Sequence, residues 1–110
     1  MKRFESRDIF KAYEFAEAGG QALHVMDAEG PLDVPAGTVD VNAQHHNPPA
    51  CFRRSKLWGH LIDMDRVRLV KTAIRLGVKV IVVGRHGRQG QHVDLCGKPL
   101  ERAIEECERG

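Results

Sequence analysis

The sequence predicts an α+β protein: a single small domain over residues 1–110, with a mixed β-sheet of about 4–5 short strands packed by three helices at about 7–18, 64–76 and 99–108. Three observations carry this expectation. A chain of 110 residues has room for one hydrophobic core and not two. Its make-up, 42% apolar and 29% charged, is that of an ordinary folded protein and not of a disordered or membrane-embedded one. Its apolar residues recur with a helical period in some segments and a strand period in others.

The elements follow in order. Ser6 is placed to cap a first helix from about Arg7 to Ala18, with Asp8 in its first turn, where the helix dipole favours an acid. Ile9, Ala12, Tyr13 and Ala16 form one apolar stripe, and Gly19-Gly20 ends the helix. Gln21 to Met26 reads as a strand, followed by a turn at Ala28–Pro31. Leu32 to Ala43 reads as one or two short strands broken at Pro35-Ala-Gly37, and Gln44 to Ser55 as a loop. Asp63 is placed to cap a second helix over about Met64 to Leu76, closed by Gly77. Its expected apolar face centres on Val67, Val70 and Ile74, widened by Leu69, Ala73 and Leu76, with Arg68, Lys71 and Arg75 on the opposite stripe. Val78 to Val83 is the strongest strand signal and apolar enough to predict a central strand. Gly84 to Gly90 reads as a loop and Gln91 to Cys96 as a further strand. Pro99 is a good first residue for the last helix, to Glu108.

Met1 to Arg7 is polar and charged, which predicts no secretory leader, and the longest apolar run, Val80 to Val83, is too short to cross a bilayer. Cys51, Cys96 and Cys107 are odd in number and form no C-x-x-C pair. Reduced thiols, a cytoplasmic location and no membrane partner are therefore the expectation.

Charge is unevenly spread. From Arg53 to Arg88 ten Lys or Arg face only Asp63 and Asp65, a balance of +8, whereas the rest of the chain sets seven basic residues against thirteen acids, a balance of −6. Such segregation points to an anionic ligand: nucleic acid, a nucleotide or an acidic protein surface. The candidate ligand-binding residues are Arg68, Lys71 and Arg75 on the helix, with Arg85, His86 and Arg88 in the loop Gly84-Arg-His-Gly-Arg-Gln-Gly90. Glycines there free backbone N–H groups to face an anion, and the two arginines can fork onto phosphate oxygens. The loop matches neither a Walker motif nor a dinucleotide fingerprint. The plainer reading is a solvated hairpin beside a solvated helix face.

The candidate catalytic residues are His60, His92 and Asp94. In a strand His92 and Asp94 share a face, so the carboxylate can orient an imidazole, and two histidines can divide acid and base work on a phosphoester. Against this stands a structural role for each histidine. Among His24, Asp40, His45 and His46, neighbouring histidines on an extended chain point apart and no zinc spacing occurs, so no metal ligands are assigned; a carboxylate-histidine site for a divalent ion stays open, and the sequence leaves any cofactor unknown. Few aromatics argue against stacking on single strands, and no helix-turn-helix, zinc-finger or ribonucleoprotein motif is present.

Val39-Asp-Val41, Trp58-Gly-His-Leu61, Leu76-Gly77 and His92-Val-Asp-Leu95, leading to Glu101-Arg-Ala-Ile104, resemble the W-x-H-L and H-x-D-L segments of a small bacterial and phage family of unknown function. The resemblance covers about Val39 to Cys107. It implies that Trp58, His60, His92 and Asp94 share a site, and it implies no reaction. Two functions follow as expectations. One is a binding protein with a basic face, regulatory or counter-defensive if of phage origin. The other is a histidine-dependent phosphoesterase or nuclease, with His60 and His92 as acid and base, Asp94 as orienter, and Arg85 and Arg88 as phosphate clamps.

Overall fold

The structure, a computed structural model, describes residues 1–27, 57–79, 81–84 and 91–109. In chain order these form β1 (Lys2–Phe4), a 3₁₀ turn (Ser6–Asp8), α1 (Ile9–Glu17), β2 (Gln21–Asp27), β3 (Leu57–Asp63), α2 (Arg66–Leu76), β4 (Val83–Gly84), β5 (His92–Leu95) and α3 (Gly97–Arg109). The fold is α+β. One mixed sheet of five strands has the order β1-β2-β3-β5-β4, with β1 parallel to β2 and every other pair antiparallel.

Register makes the sheet two-faced in a simple way. Leu23 pairs with Leu61, Leu61 with Val93 and Val93 with Val83, so odd-numbered residues of β2 to β5 share one face. That face is the main core: Leu23, Val25, Leu61, Val83, Val93 and Leu95 are buried together with Leu69, Ala73 and Leu76 of α2 and Leu100 and Ala103 of α3. Gly59 lies on it against α3: a Cβ there would be 2.5 Å from Leu100 Cδ1, so any side chain at this position must displace that leucine. Even-numbered residues share the other face. α1 covers one end of it, packing Ala12 and Ala16 on Ala22 and Ile62, with Ile9 and Tyr13 completing the predicted stripe.

Several elements differ from expectation for identifiable reasons. α1 begins at Ile9, because the chain first makes the 3₁₀ turn. Asp8 is its N-cap, and no side chain caps it. α2 is capped by Asp65, whose carboxylate accepts from the Arg68 N–H. Asp63 instead ends β3, where its carboxylate accepts from the Asp65 N–H. α2 buries Leu69, Thr72, Ala73 and Leu76, and leaves Val67 and Ile74 64% and 61% exposed. Both triads lie at helical spacing, and the observed rotation is the one that lets Arg68 reach back to Asp63. Gly77, at φ 91°, closes the helix as expected. The apolar run before Gly84 supplies a two-residue edge strand and no central one, since β4 pairs only with β5, though Ile81 still packs on the core. Trp58-Gly-His-Leu61 lies within the central strand β3, where no strand was expected, and β1 was likewise not foreseen. α3 starts two residues before Pro99 and runs to Arg109. The strands expected over Leu32–Ala43 and the loop over Gln44–Ser55 lie outside the described residues. Cys96 is disulfide-bonded, contrary to the expected reduced thiols, and Cys107 is free. No helix among the described residues is long and apolar enough to cross a membrane.

Candidate functional site

Beyond the end of α1, the even-numbered face carries a row of polar side chains that register alone brings together. His24 of β2 pairs with His60 of β3, and His60 pairs with Asp94 of β5. His92, two residues from Asp94 and so on the same face, pairs with Ile62 on one side and Gly84 on the other. Gly84 makes room for it. A Cβ at that position would stand 2.6 Å from His92 Cε1.

The contacts are specific. His60 Nε2 and His92 Nε2 each lie 3.4 Å from Asp94 Oδ1. The His60 and His92 rings meet edge to face with centroids 5.1 Å apart. The His24 and His60 rings are parallel, with Nδ1 to Nδ1 at 3.1 Å, and His24 Nε2 is 2.9 Å from the Ser6 carbonyl oxygen. His24 is 3% exposed, whereas the His60 and His92 side chains are each 19% exposed and Asp94 is 44% exposed. The row therefore runs from a buried end at Ser6 to an open end at Asp94.

Burial pushes the His60 pKa down to about 4; Asp94 opposes this, and His92 and His24 add to it. At neutral pH the His60 ring is uncharged. Burial alone would raise the Asp94 pKa, but the hydrogen bond from His92 and the two neighbouring imidazoles outweigh it and hold the carboxyl below its ordinary value. The open end thus offers a carboxylate beside a neutral imidazole, a combination that can position and polarise a water or ligate a cation.

The structure brings together all three candidate catalytic residues, His60, His92 and Asp94. Sequence reasoning did not place His24 with them; the signal was a lone histidine in the otherwise apolar stretch Ala22–Met26. The basic residues are arranged differently. Arg68 is bound to the fully buried Asp63 through Nε at 2.6 Å and Nη2 at 2.8 Å, and Nη2 also donates to the Gly19 carbonyl at 2.9 Å. The hydrogen bond to Asp63 raises its pKa further. Gln21 joins the same network, donating to Asp63 at 3.0 Å and Thr72 Oγ1 at 3.0 Å. Arg75 pairs with Glu106 of α3. Lys71 is exposed, in a shallow depression that Asp65, Val67, Arg68, Thr72 and Arg75 also line. Arg85, His86 and Arg88 lie outside the described residues, as do Asp40, His45 and His46. Cys107 has no activated thiol, since burial pushes its pKa up.

No protein-family model, curated protein or solved structure matches this chain.

Proposed function

We propose that this protein hydrolyses a phosphoester of a nucleotide or nucleic acid at the His60, His92 and Asp94 cluster. The observation that carries the reading is the convergence of two imidazole Nε2 atoms on one Asp94 oxygen at the open end of a sheet face. Neutral imidazole and carboxylate together can hold a water and draw its proton, which a phosphoester needs for attack at phosphorus. Arg85 and Arg88, two residues of the segment that follows β4, supply positive charge for the non-bridging oxygens in this reading. The two segments that carry the resemblance to the bacterial and phage family, Trp58–Leu61 and His92–Leu95, lie in the two strands that hold the cluster, which supports a shared site. In this reading the setting is the cytoplasm, where nucleotides and nucleic acid are abundant, although the Cys96 disulfide runs against the reduced thiols that setting favours.

The test is turnover of bis(p-nitrophenyl) phosphate and of a fluorescent single-stranded oligonucleotide. His92→Ala should abolish turnover while the far-ultraviolet circular dichroism of the protein stays unchanged. Wild-type protein without turnover, or turnover unaffected by His92→Ala, would sink the reading.

The second reading is a non-catalytic binder of an anionic partner, of the regulatory or counter-defensive kind. Exposed Lys71 beside Arg68 and Arg75 favours it. The ties of those two arginines to Asp63 and Glu106 weaken it, because each is already neutralised within the fold. Binding through this face would fall steeply with salt, and affinity for an oligonucleotide that holds constant from low to moderate salt removes it.

A further inference from the structure

We propose that His60 Nε2, His92 Nε2 and Asp94 Oδ1 form a binding site for a divalent transition-metal cation of the zinc class, and that His24, anchored on the Ser6 carbonyl, positions His60 for it. The inference uses the cluster of the proposed function but no step of phosphoester hydrolysis. It begins at the buried end of the row. A carbonyl oxygen only accepts hydrogen bonds, so the 2.9 Å contact to Ser6 makes His24 Nε2 the donor. With Nε2 as its donor nitrogen, His24 leaves Nδ1 as the acceptor of the 3.1 Å contact, and His60 Nδ1 is the donor. With its proton on Nδ1, the His60 ring turns its Nε2 lone pair towards Asp94. That lone pair faces the oxygen of Asp94, with 3.4 Å between two electron-rich atoms and nothing in the tautomer chain to place a proton between them.

A cation resolves this repulsion, and the spacing fits one. Nitrogen and oxygen ligands about 2.0–2.2 Å from a tetrahedral zinc ion stand about 3.3–3.6 Å apart. Both observed Nε2 to Oδ1 separations are 3.4 Å, and the ligand atoms of the three residues all lie within 4.8 Å of one another. The His60 contact is long for a charge-assisted N–H···O hydrogen bond, which runs about 2.7–2.9 Å, whereas His92, which donates to Asp94 in the metal-free protein, ligates once its Nε2 proton is released, as metal binding to a protonated donor requires. Ligating histidines commonly donate their other ring N–H to a fixed acceptor, which orients the ring and raises its basicity. His24 is such an acceptor for His60, and the Ser6 carbonyl fixes His24 in turn. Two imidazoles and one carboxylate leave a coordination position for water or substrate on the exposed side, the arrangement of catalytic rather than structural zinc sites. No metal-ligand motif marks these three residues in the sequence, because they come from two strands, in a pattern set by sheet register and not by any H-x-x-x-H or C-x-x-C spacing.

Calorimetric titration of the chelator-stripped protein with zinc chloride tests the proposal. A single equivalent should bind at micromolar or lower Kd. His24→Ala should weaken binding by about 10–100-fold, as loss of an outer partner does. His92→Ala and Asp94→Asn should weaken it more. X-ray absorption at the zinc edge of the wild-type complex, which needs no variant to fold, should show imidazole and oxygen ligands and no sulfur. No binding below millimolar zinc, binding unchanged in both His92→Ala and Asp94→Asn, or sulfur in the first shell would overturn the site. Zinc bound here without phosphoester turnover keeps the site and sinks the proposed reaction. Turnover in a protein that binds no zinc below millimolar keeps the reaction and overturns the site.

Discussion

The two faces of the sheet are built from alternating residues of the same strands, yet they meet opposite demands. The odd-numbered face is closed by α2 and α3 over Leu23, Leu61, Val93 and Leu95, and its buried Asp63 is matched by Arg68, Gln21 and the Asp65 N–H. The even-numbered face is closed by α1 only over Ala22 and Ile62, and past that end it presents His24, His60, His92 and Asp94. On the first face both oxygens of Asp63 are held by protein donors. On the second, His60 and His92 converge on a single carboxylate oxygen, an arrangement awaiting a third party. If the proposed site is right, stability is concentrated on one face and chemistry on the other, so substitutions should separate the two properties by residue parity.

Asp63→Ala should cause the largest loss, about 3–5 kcal/mol, because it strands the Arg68 guanidinium and the Gln21 amide beside a buried void. Chemical denaturation measures it, and a loss below 1 kcal/mol would deny the odd-numbered face its polar anchor. Acid should come next. His60 has a folded-state pKa of about 4, below its value of about 6.5 in an unfolded chain, so below pH 6.5 the unfolded state takes up a proton that the fold refuses. Its contribution is complete above pH 6.5 and is lost as pH falls towards 4, by up to about 3 kcal/mol in metal-free protein. His60→Gln should flatten that part of the stability curve; an unchanged curve would mean that other groups set it.

Gly59→Ala should destabilise by about 1–3 kcal/mol, since its Cβ meets Leu100 Cδ1 at 2.5 Å in a packed core. Gly84→Ala, on the opposite face, sharpens the contrast. Its Cβ meets the His92 ring, which is partly exposed and can swing aside, so stability should fall by under about 1 kcal/mol while zinc affinity or turnover falls at least tenfold. Equal effects of the two glycine substitutions on stability would erase the division between the faces.

How much of this was legible in the sequence depended on whether the signal was local. The stripe of α1, the Gly77 stop and the shared face of His92 and Asp94 follow from residues close in the chain, and all were read correctly. The rotation of α2 was misjudged because Val67, Val70 and Ile74 compete with Leu69, Ala73 and Leu76 at the same helical spacing, and a contact from Arg68 to a preceding strand decides between them. β3 was missed because Gly59 and His60 interrupt its apolar run, and the reason for that glycine is a leucine forty-one residues later. The tandem of His24 and His60 was invisible for the same reason: thirty-six residues separate two side chains that pairing places side by side. Charge density along the chain pointed to the basic segment, but Asp63 and Glu106 answer two of its arginines in space.

The histidine tautomers test the account most directly. Long-range proton–nitrogen spectra of the metal-free protein near neutral pH should show His24 protonated at Nε2 and His60 protonated at Nδ1. They should also show a bare His60 Nε2, whose resonance moves together with that of His92 when zinc is added. A His60 ring carrying its proton on Nε2, or ring signals indifferent to zinc, would contradict the account.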